Sequence, residues 1–214
     1  MAPWALFFVL DKFCNHWDLW VYPQTPANIS SNAVRHVSVL DANTVSYLQE
    51  GGKVLLSLGK GKVKPEMRGE VGVSFSSIFW NTAWTENQKP HTLGILCDPE
   101  HAALQQFPTE FHSNWQWWDA MSHSDVVNLN KLSNEIKPIV RVIDDWVTNR
   151  SLGLVFEVKV GESNLLISGI DHKNQLDQRP EARQLLTSLM SYMESVDFNP
   201  SVSLSLDQVS GIMQ

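Results

Sequence analysis

A cysteine and a histidine lie where an apolar strand gives way to a helix, a position that suits nucleophilic catalysis. Cys97 ends the segment TLGILC, and His101 follows it in PEHAALQQF. A helix N-terminus lowers the pKa of a thiol, so the two residues are candidates for a nucleophile and its base. However, Leu96 and Asp98 are not the small neighbours that a strained nucleophile turn needs, and the adjacent acid raises the pKa of the thiol. We therefore predict that Cys97 is structural.

Other patterns that could do chemistry are incomplete. GKGK at 59–62 follows a strand but lacks both the GxxxxGK[ST] and the GxGxxG pattern, so we interpret it as a basic turn. The histidines show no HExxH spacing, which argues against a metal site. Asp144 and Asp145 are adjacent and would face opposite sides of a strand. The residues themselves predict no catalytic group, no metal and no cofactor.

Three of the nine tryptophans fall within FHSNWQWWDAMSH, residues 111–123. Each tryptophan buries up to about 250 Å², so most must lie in a core, an interface or a ligand site. On a helix, Trp115 and Trp118 share a face with Phe111, and such a stripe is typical of a core. Trp117 lies about 100° away on the helix and is predicted to be the exposed ring.

Trp117 is then the ring of this cluster that is available for binding. Loops often carry function, and the irregular stretch FWNTAW supplies Trp80 and Trp84. We predict a groove between Trp80, Trp84 and Trp117, with His112 nearby, that contacts a carbohydrate or another protein surface.

Composition narrows the classes of partner. The net charge is −7 and the basic residues are scattered, so nucleic acid is not expected. The apolar run at 2–10 is too short to span a bilayer, and it lacks the charged leader of a signal peptide. The chain is therefore expected to be soluble. Cys14 and Cys97 are predicted to be free, buried thiols rather than a disulfide.

The elements that would position these residues form an α/β fold. RHVSVLD (35–41) is predicted to be a strand, and Asp41 or Asn43 to cap a helix that stops at Gly51-Gly52. KVLLSLG (53–59) follows as a strand buried on both faces. This βαβ unit implies a parallel sheet with a right-handed crossover.

Later segments complete the predicted architecture. A hairpin should turn at Gly161-Glu162, at one edge of the sheet, and a long helix should begin at Arg179-Pro180. The fold class is α/β, with helices on a mostly parallel sheet and a late antiparallel hairpin. Residues 1–198 are predicted to form a single domain, and the Ser-rich residues 199–214 a loose tail or linker.

Several blocks resemble the region that follows the catalytic barrel in family 2 glycoside hydrolases. These enzymes are the β-galactosidase-like, sugar-binding-domain type common in Bacteroidetes, and the resemblance covers roughly residues 15–198. The blocks are GGKVLLSLGKGK, FWNTAW, PHTLGILCDPEHAALQQFPTEFHSNWQWWD, PIVRVIDDWVTNRSLGLVFEVKVGESNLLISGID and RPEARQLLTSLMSYM.

The resemblance implies a flavodoxin-like or class I glutamine-amidotransferase-like domain without amidotransferase catalysis. In such enzymes the catalytic glutamates lie in the (β/α)₈ barrel, about 250 residues that cannot fit here. No catalytic residue is therefore carried over, and Cys97 lacks the glycine-rich elbow of amidotransferases. The family would place the chain in the periplasm or outside the cell.

The expected function is that of a non-catalytic accessory domain of a family 2 glycoside hydrolase. Its partners would be the catalytic domains of that enzyme or copies of itself. One alternative is a carbohydrate-binding module that uses exposed tryptophans. A second is a standalone hydrolase or amidotransferase that uses Cys97 and His101.

Overall fold

The structure, a computed structural model, describes residues 4–23, 32–74 and 91–214. It contains a two-stranded antiparallel hairpin and a seven-stranded mixed sheet with helices. The strands are β1 (Trp4–Leu10), β2 (Phe13–Leu19), β3 (Val34–Val37), β4 (Lys53–Ser57), β5 (Gly94–Cys97), β6 (Val127–Asn128), β7 (Val140–Ile143), β8 (Leu152–Val160) and β9 (Ser163–Ser168). The α-helices are α1 (Ala42–Gln49), α2 (Pro65–Arg68), α3 (Trp118–Ser122), α4 (Pro180–Glu194) and α5 (Leu206–Ser210).

The predicted βαβ unit is confirmed. Strands β3 and β4 are parallel, with α1 between them. The Asp41 carboxylate accepts the N–H of Thr44 at 2.8 Å and so caps α1, as Ser, Thr, Asp and Asn side chains commonly do. The helix ends before Gly51, whose φ of +86° is left-handed and therefore favours glycine. Most of β4 is buried, as its apolar sequence predicted.

The prediction of a mostly parallel, flavodoxin-like or amidotransferase-like sheet is wrong. The main order is β3-β4-β9-β8-β7-β5, and only the β3–β4 and β4–β9 pairs are parallel. Strands β9–β8, β8–β7, β7–β5 and β6–β8 pair antiparallel. Short connections account for two of these four pairs, because a parallel pair needs a crossover of a dozen or more residues. Only 144–151 join β7 to β8, and only Gly161-Glu162 join β8 to β9.

The β8–β9 hairpin turns where the sequence predicted, but it lies in the middle of the sheet rather than at an edge. β9 pairs with β4 on one side and β8 pairs with β7 on the other. Both strands are buried along most of their length. Burial on both faces explains why their sequences are nearly continuously apolar.

Helix α4 begins at Pro180, as predicted, and buries its apolar stripe. The stripe packs on one face of the sheet with Phe107 and Trp117, while α5 packs with apolar side chains of the other face. Alternate strand residues supply the two clusters, as a period of two requires. The buried stripe comprises Leu185, Leu186, Leu189, Met190 and Met193.

Residues 199–214 are packed rather than loose, which differs from the prediction of a tail. Ser205 and Gln208 form a reciprocal capping box at the start of α5. Val209 and Ile212 are fully buried, and the N–H of Gln214 donates to the carbonyl of Lys62 at 3.0 Å. Irregularly spaced apolar residues anchor this segment, so it shows no periodicity.

Candidate functional site

The tryptophan segment is oriented in the opposite way to the prediction. Trp117 is fully buried, whereas Trp115 is 75% exposed and Trp118 is 53% exposed. Asn114 caps a 3₁₀ turn over Trp115–Trp117, and α3 follows from Trp118. The prediction that Trp117 is exposed and that Trp115 and Trp118 are core residues is therefore wrong.

The error arises from where the helix begins. Phe111 still lies beside β5, because its carbonyl accepts the N–H of Cys97 at 2.9 Å. The first turn is then 3₁₀, with three residues per turn instead of 3.6, which shifts the helical phase. The Trp117 indole N–H donates to the Thr109 hydroxyl at 2.7 Å, and the ring packs edge-on against Phe107 at 5.1 Å.

The predicted groove is therefore not available to Trp117. Trp80 and Trp84 lie outside the described residues. His112 is exposed, and its Nδ1 lies 3.0 Å from the carbonyl of Ser113. We call Trp115 and Trp118 the tryptophan pair; their ring centroids lie 6.0 Å apart and the ring planes are tilted by 55°.

A second exposed apolar surface lies on the N-terminal hairpin. We call it the apolar face; it consists of Leu6, Phe8, Leu10, Phe13, Trp17 and Leu19, with one polar residue, Asn15, opposite Phe8 on the same side. The register pairs Leu6 with Trp17 and Leu10 with Phe13, so these side chains share one side of the ribbon. The opposite side is mixed, because it carries His16 and Asp18, and the Phe7 ring stacks on His16 at 5.8 Å.

The chain that leaves the hairpin is fixed to the domain by Tyr22. The Tyr22 ring stacks nearly parallel to Phe107 at 6.4 Å, and Gln116 donates a hydrogen bond to its hydroxyl at 2.5 Å. Gln116 belongs to the 3₁₀ turn that carries Trp115. The hairpin is therefore attached beside the tryptophan pair.

Cys97 and His101 both line a cavity of about 640 Å³ at one end of the sheet. The thiol of Cys97 donates to the carbonyl of Glu110 at 3.3 Å. Burial, with a smaller effect of the Asp98 charge, raises the pKa of Cys97 to about 11. His101 Nδ1 accepts the N–H of Ala103 at 3.1 Å, so this nitrogen is not available as a base. The pair is poorly suited to nucleophilic chemistry.

Alkylation should separate the two cysteines. Both are free thiols, but Cys14 is exposed and Cys97 is only half-buried, so the prediction that both are buried is wrong. With a pKa of about 11, Cys97 holds only about 10⁻⁴ of its population as thiolate at neutral pH. We expect iodoacetamide to modify Cys14 first by at least about tenfold in rate. Equal rates in peptide mass spectrometry would contradict this assignment.

Two adjacent serine–histidine pairs, which we call the serine–histidine network, lie at the carboxyl ends of the parallel strands. Ser57 and Ser168 are partners in the β4–β9 register. Ser57 Oγ lies 2.9 Å from His36 Nε2, and Ser168 Oγ lies 3.1 Å from His172 Nε2. His172 Nδ1 lies 3.2 Å from the carbonyl of Ala182 in α4. Ser168 and His172 are fully buried, so this network ties α4 to the sheet rather than meeting a substrate.

This network should make the protein sensitive to acid. Burial lowers the pKa of His172 to about 3 and that of His36 to about 4, the latter also through Lys173. Histidines in the unfolded chain have a pKa of about 6.5, so below that pH the unfolded chain binds more protons than the folded protein. Stability should fall from about pH 6.5 towards pH 4, by about 1 kcal/mol per pH unit for each histidine. Urea unfolding of wild type and His172→Gln tests this, and equal pH slopes would contradict it.

The GKGK turn is occupied by one of the protein's own carboxylates. Asp125 accepts the N–H groups of Gly61 at 2.8 Å and Val63 at 3.2 Å, and Arg68 lies 3.8 Å away. These amides are therefore not free to bind phosphate. Among the described residues, no group of three or more His, Cys, Asp or Glu side chains could hold a metal ion.

Residues 35–214 match the family described as a domain of unknown function, DUF8487. The chain belongs to the DUF8487 family. No curated protein matches the sequence. The DUF8487 match takes in the seven-stranded sheet from its second residue onward, together with the tryptophan pair and the cavity, whereas the hairpin lies outside it. In the part of this DUF8487 chain that the structure describes, we find no helix that meets the length and hydropathy needed to span a membrane.

Proposed function

We propose that this chain is a non-catalytic accessory domain of a family 2 glycoside hydrolase and that it packs against the catalytic region of that enzyme. The exposed apolar face of the hairpin carries the proposal. Its six side chains are each 45–67% exposed. The sequence blocks that resemble these enzymes supply the identity of the partner.

The hairpin needs a surface to pack on. An isolated two-stranded hairpin is marginally stable at best in water. Covering a Val, Leu, Ile, Phe or Met side chain contributes roughly 1.5–3 kcal/mol. Strands β1 and β2 pack chiefly on each other, and every side chain described from Ala5 to Leu19 is exposed. A partner that covers the apolar face would therefore stabilise the hairpin as well as bind it.

The size of the apolar face argues for a partner that reaches beyond the hairpin. The apolar face has six side chains, whereas a standard interface takes roughly 20–30 residues from each partner. A standard interface buries about 800 Å² on each partner. Tyr22 fixes the hairpin beside Trp115 and Trp118, so one partner can cover both surfaces. Tryptophans are common anchors at such interfaces.

The test is calorimetry between the full chain and the catalytic region of a family 2 glycoside hydrolase from the same genome. We expect a complex with a dissociation constant on the order of 1 μM, and no hydrolysis of aryl glycosides by this chain alone. Absence of binding, or glycoside hydrolysis by this chain without the partner, would contradict the proposal.

Carbohydrate binding by the tryptophan pair is the second candidate. The two rings are exposed and adjacent, as in a sugar-contacting surface. The tilt of 55° means that they do not form one flat platform, which is why we place this function second. Tryptophan fluorescence titrations with a panel of neutral glycans test it. A response that Trp115→Ala abolishes would favour it over docking, and silence across the panel would exclude it.

A further inference from the structure

The sheet has a gap alongside β8, which we call the notch. Strand β7 begins at Val140, which pairs with Val155, whereas β8 continues to Val160. Further along β8, Lys159 donates its N–H to the carbonyl of Val202 and accepts the N–H of Leu204. Glu157 lies between these two pairings. The cavity of about 640 Å³ that contains Cys97 and His101 occupies this notch.

The main chain of Glu157 faces the notch. In the β8–β9 hairpin, Val160 and Ser163 flank a two-residue turn, so Val160 exchanges hydrogen bonds with β9. Successive residues alternate, and Lys159 accordingly bonds on the opposite side. The N–H and C=O groups of Glu157, two residues before Lys159, therefore point to the same side of β8 as those of Lys159. Pro138, which lines the cavity, has no N–H to offer. Within the described residues, no segment pairs with Glu157 on this side.

The side chains around Glu157 are held in place. The Tyr192 hydroxyl donates to the Glu157 carboxylate at 2.7 Å, and the His101 ring packs edge-on against Tyr192 at 5.4 Å. Because His101 Nδ1 accepts the Ala103 N–H, the proton of the neutral ring lies on Nε2. Burial raises the pKa of Glu157, so its carboxyl group becomes protonated at a higher pH than that of an exposed glutamate. The floor of the cavity thus holds fixed donors and acceptors.

The lining disfavours an anionic ligand. Leu96, Ile139 and Val202 give apolar surface, while the carboxyl groups of Asp98, Glu135 and Glu157 outnumber the one lysine, Lys137. The volume lies within the range of small-molecule sites. Such a mixture of apolar surface with separate donors and acceptors suits a neutral molecule with many hydroxyl groups.

We propose that this cavity binds a neutral saccharide through a vicinal pair of hydroxyl groups. One hydroxyl would accept the N–H of Glu157, and its neighbour would donate to the Glu157 carbonyl. The C–H surface of the sugar ring would lie on Leu96 and Val202. An extended peptide is disfavoured, because strand addition requires a row of open backbone groups and only one residue is open here. This site is separate from the surfaces that carry the proposed function.

The test is a titration of the isotope-labelled full chain with lactose, followed by amide chemical shifts. We expect shifts at Glu157 and its neighbours in the cavity, with a dissociation constant on the order of 1 mM. Ser201→Trp should fill the cavity and weaken binding at least about tenfold. Ser210→Trp, an exposed site on α5, is the matched control and should bind as wild type.

Three results would overturn the proposal. In the first, lactose produces no shifts; in the second, the shifts are confined to the tryptophan pair; in the third, tetraglycine rather than lactose produces the shifts in the cavity. The S201W variant leaves the hairpin intact, so it must still bind the glycosidase catalytic region if the proposed function holds. The two proposals can therefore fail separately.

Discussion

Replacing Trp117 with alanine should lower the free energy of unfolding by about 3 to 5 kcal/mol. The ring is fully buried against Phe107, and its indole N–H donates to Thr109. Truncation leaves a large cavity and removes one hydrogen bond of the Thr109 hydroxyl, which keeps its bond to the carbonyl of Glu110. The same change at Trp115, which is 75% exposed, should cost less than about 1 kcal/mol.

Urea unfolding monitored by circular dichroism measures both effects. Trp117→Phe is a useful intermediate, because it keeps an aromatic ring and removes the hydrogen bond to Thr109. Part of the cost should then be recovered. A larger loss for Trp115→Ala than for Trp117→Ala would contradict the burial of Trp117 and support a continuous helix with Trp115 and Trp118 in the core.

Arg179→Ala should be comparably severe, with a loss of about 3 to 5 kcal/mol. The guanidinium is buried, and its Nε donates to both oxygens of Asp119 at 3.0 and 2.8 Å. Its Nη1 donates to the carbonyls of Asp171 and Asn174. The residue thus holds α3, the loop after β9 and the start of α4 together. Removing it leaves a part-buried carboxylate and two carbonyls without their donor.

A double-mutant cycle with Asp119→Asn measures the coupling between the two side chains. We expect a coupling of at least about 1 kcal/mol, because the pair is close and largely shielded from water. Arg183→Ala is the control. Arg183 reaches the carbonyls of Leu176 and Pro23 from a less buried position and should cost less than about 1 kcal/mol. Equal losses for the two arginines would refute the structural role of Arg179.

The features predicted correctly from the sequence are those with local signals. Asp41 caps α1, a glycine pair ends it, and Pro180 opens α4 with an apolar stripe behind it. The Gly161-Glu162 turn likewise follows from the residues on either side. Each of these depends on contacts within a few positions of the chain, which spacing alone reveals.

The direction of the sheet depends on contacts that spacing does not reveal. The βαβ unit predicts a parallel sheet, but β9 lies beside β4 and pairs with β8 in the antiparallel sense. Short connections, such as 144–151 between β7 and β8, are the feature of the sequence that indicates antiparallel pairing. The network of His36, Ser57, Ser168 and His172 could not be predicted, because tertiary packing unites residues far apart in the chain.

The tryptophans show how a small local departure inverts a functional assignment. A helical phase that starts at Phe111 places Trp115 and Trp118 inside, whereas a 3₁₀ turn after Asn114 places Trp117 inside. The hairpin was missed for another reason. Its first strand, WALFFVL, does not alternate apolar and polar residues, and Asp11-Lys12 is not one of the usual two-residue turn sequences, so the sequence does not predict it.

Two adjacent phenylalanines on β1 test the docking function most directly. Phe7 and Phe8 are each 62% exposed, but Phe8 lies on the apolar face and Phe7 stacks on His16 on the other side. Binding to the glycosidase catalytic region is measured for Phe8→Ser and Phe7→Ser. We predict at least about a tenfold weaker complex for F8S and less than about a threefold change for F7S. Equal effects of the two substitutions, or none from F8S, would contradict the account.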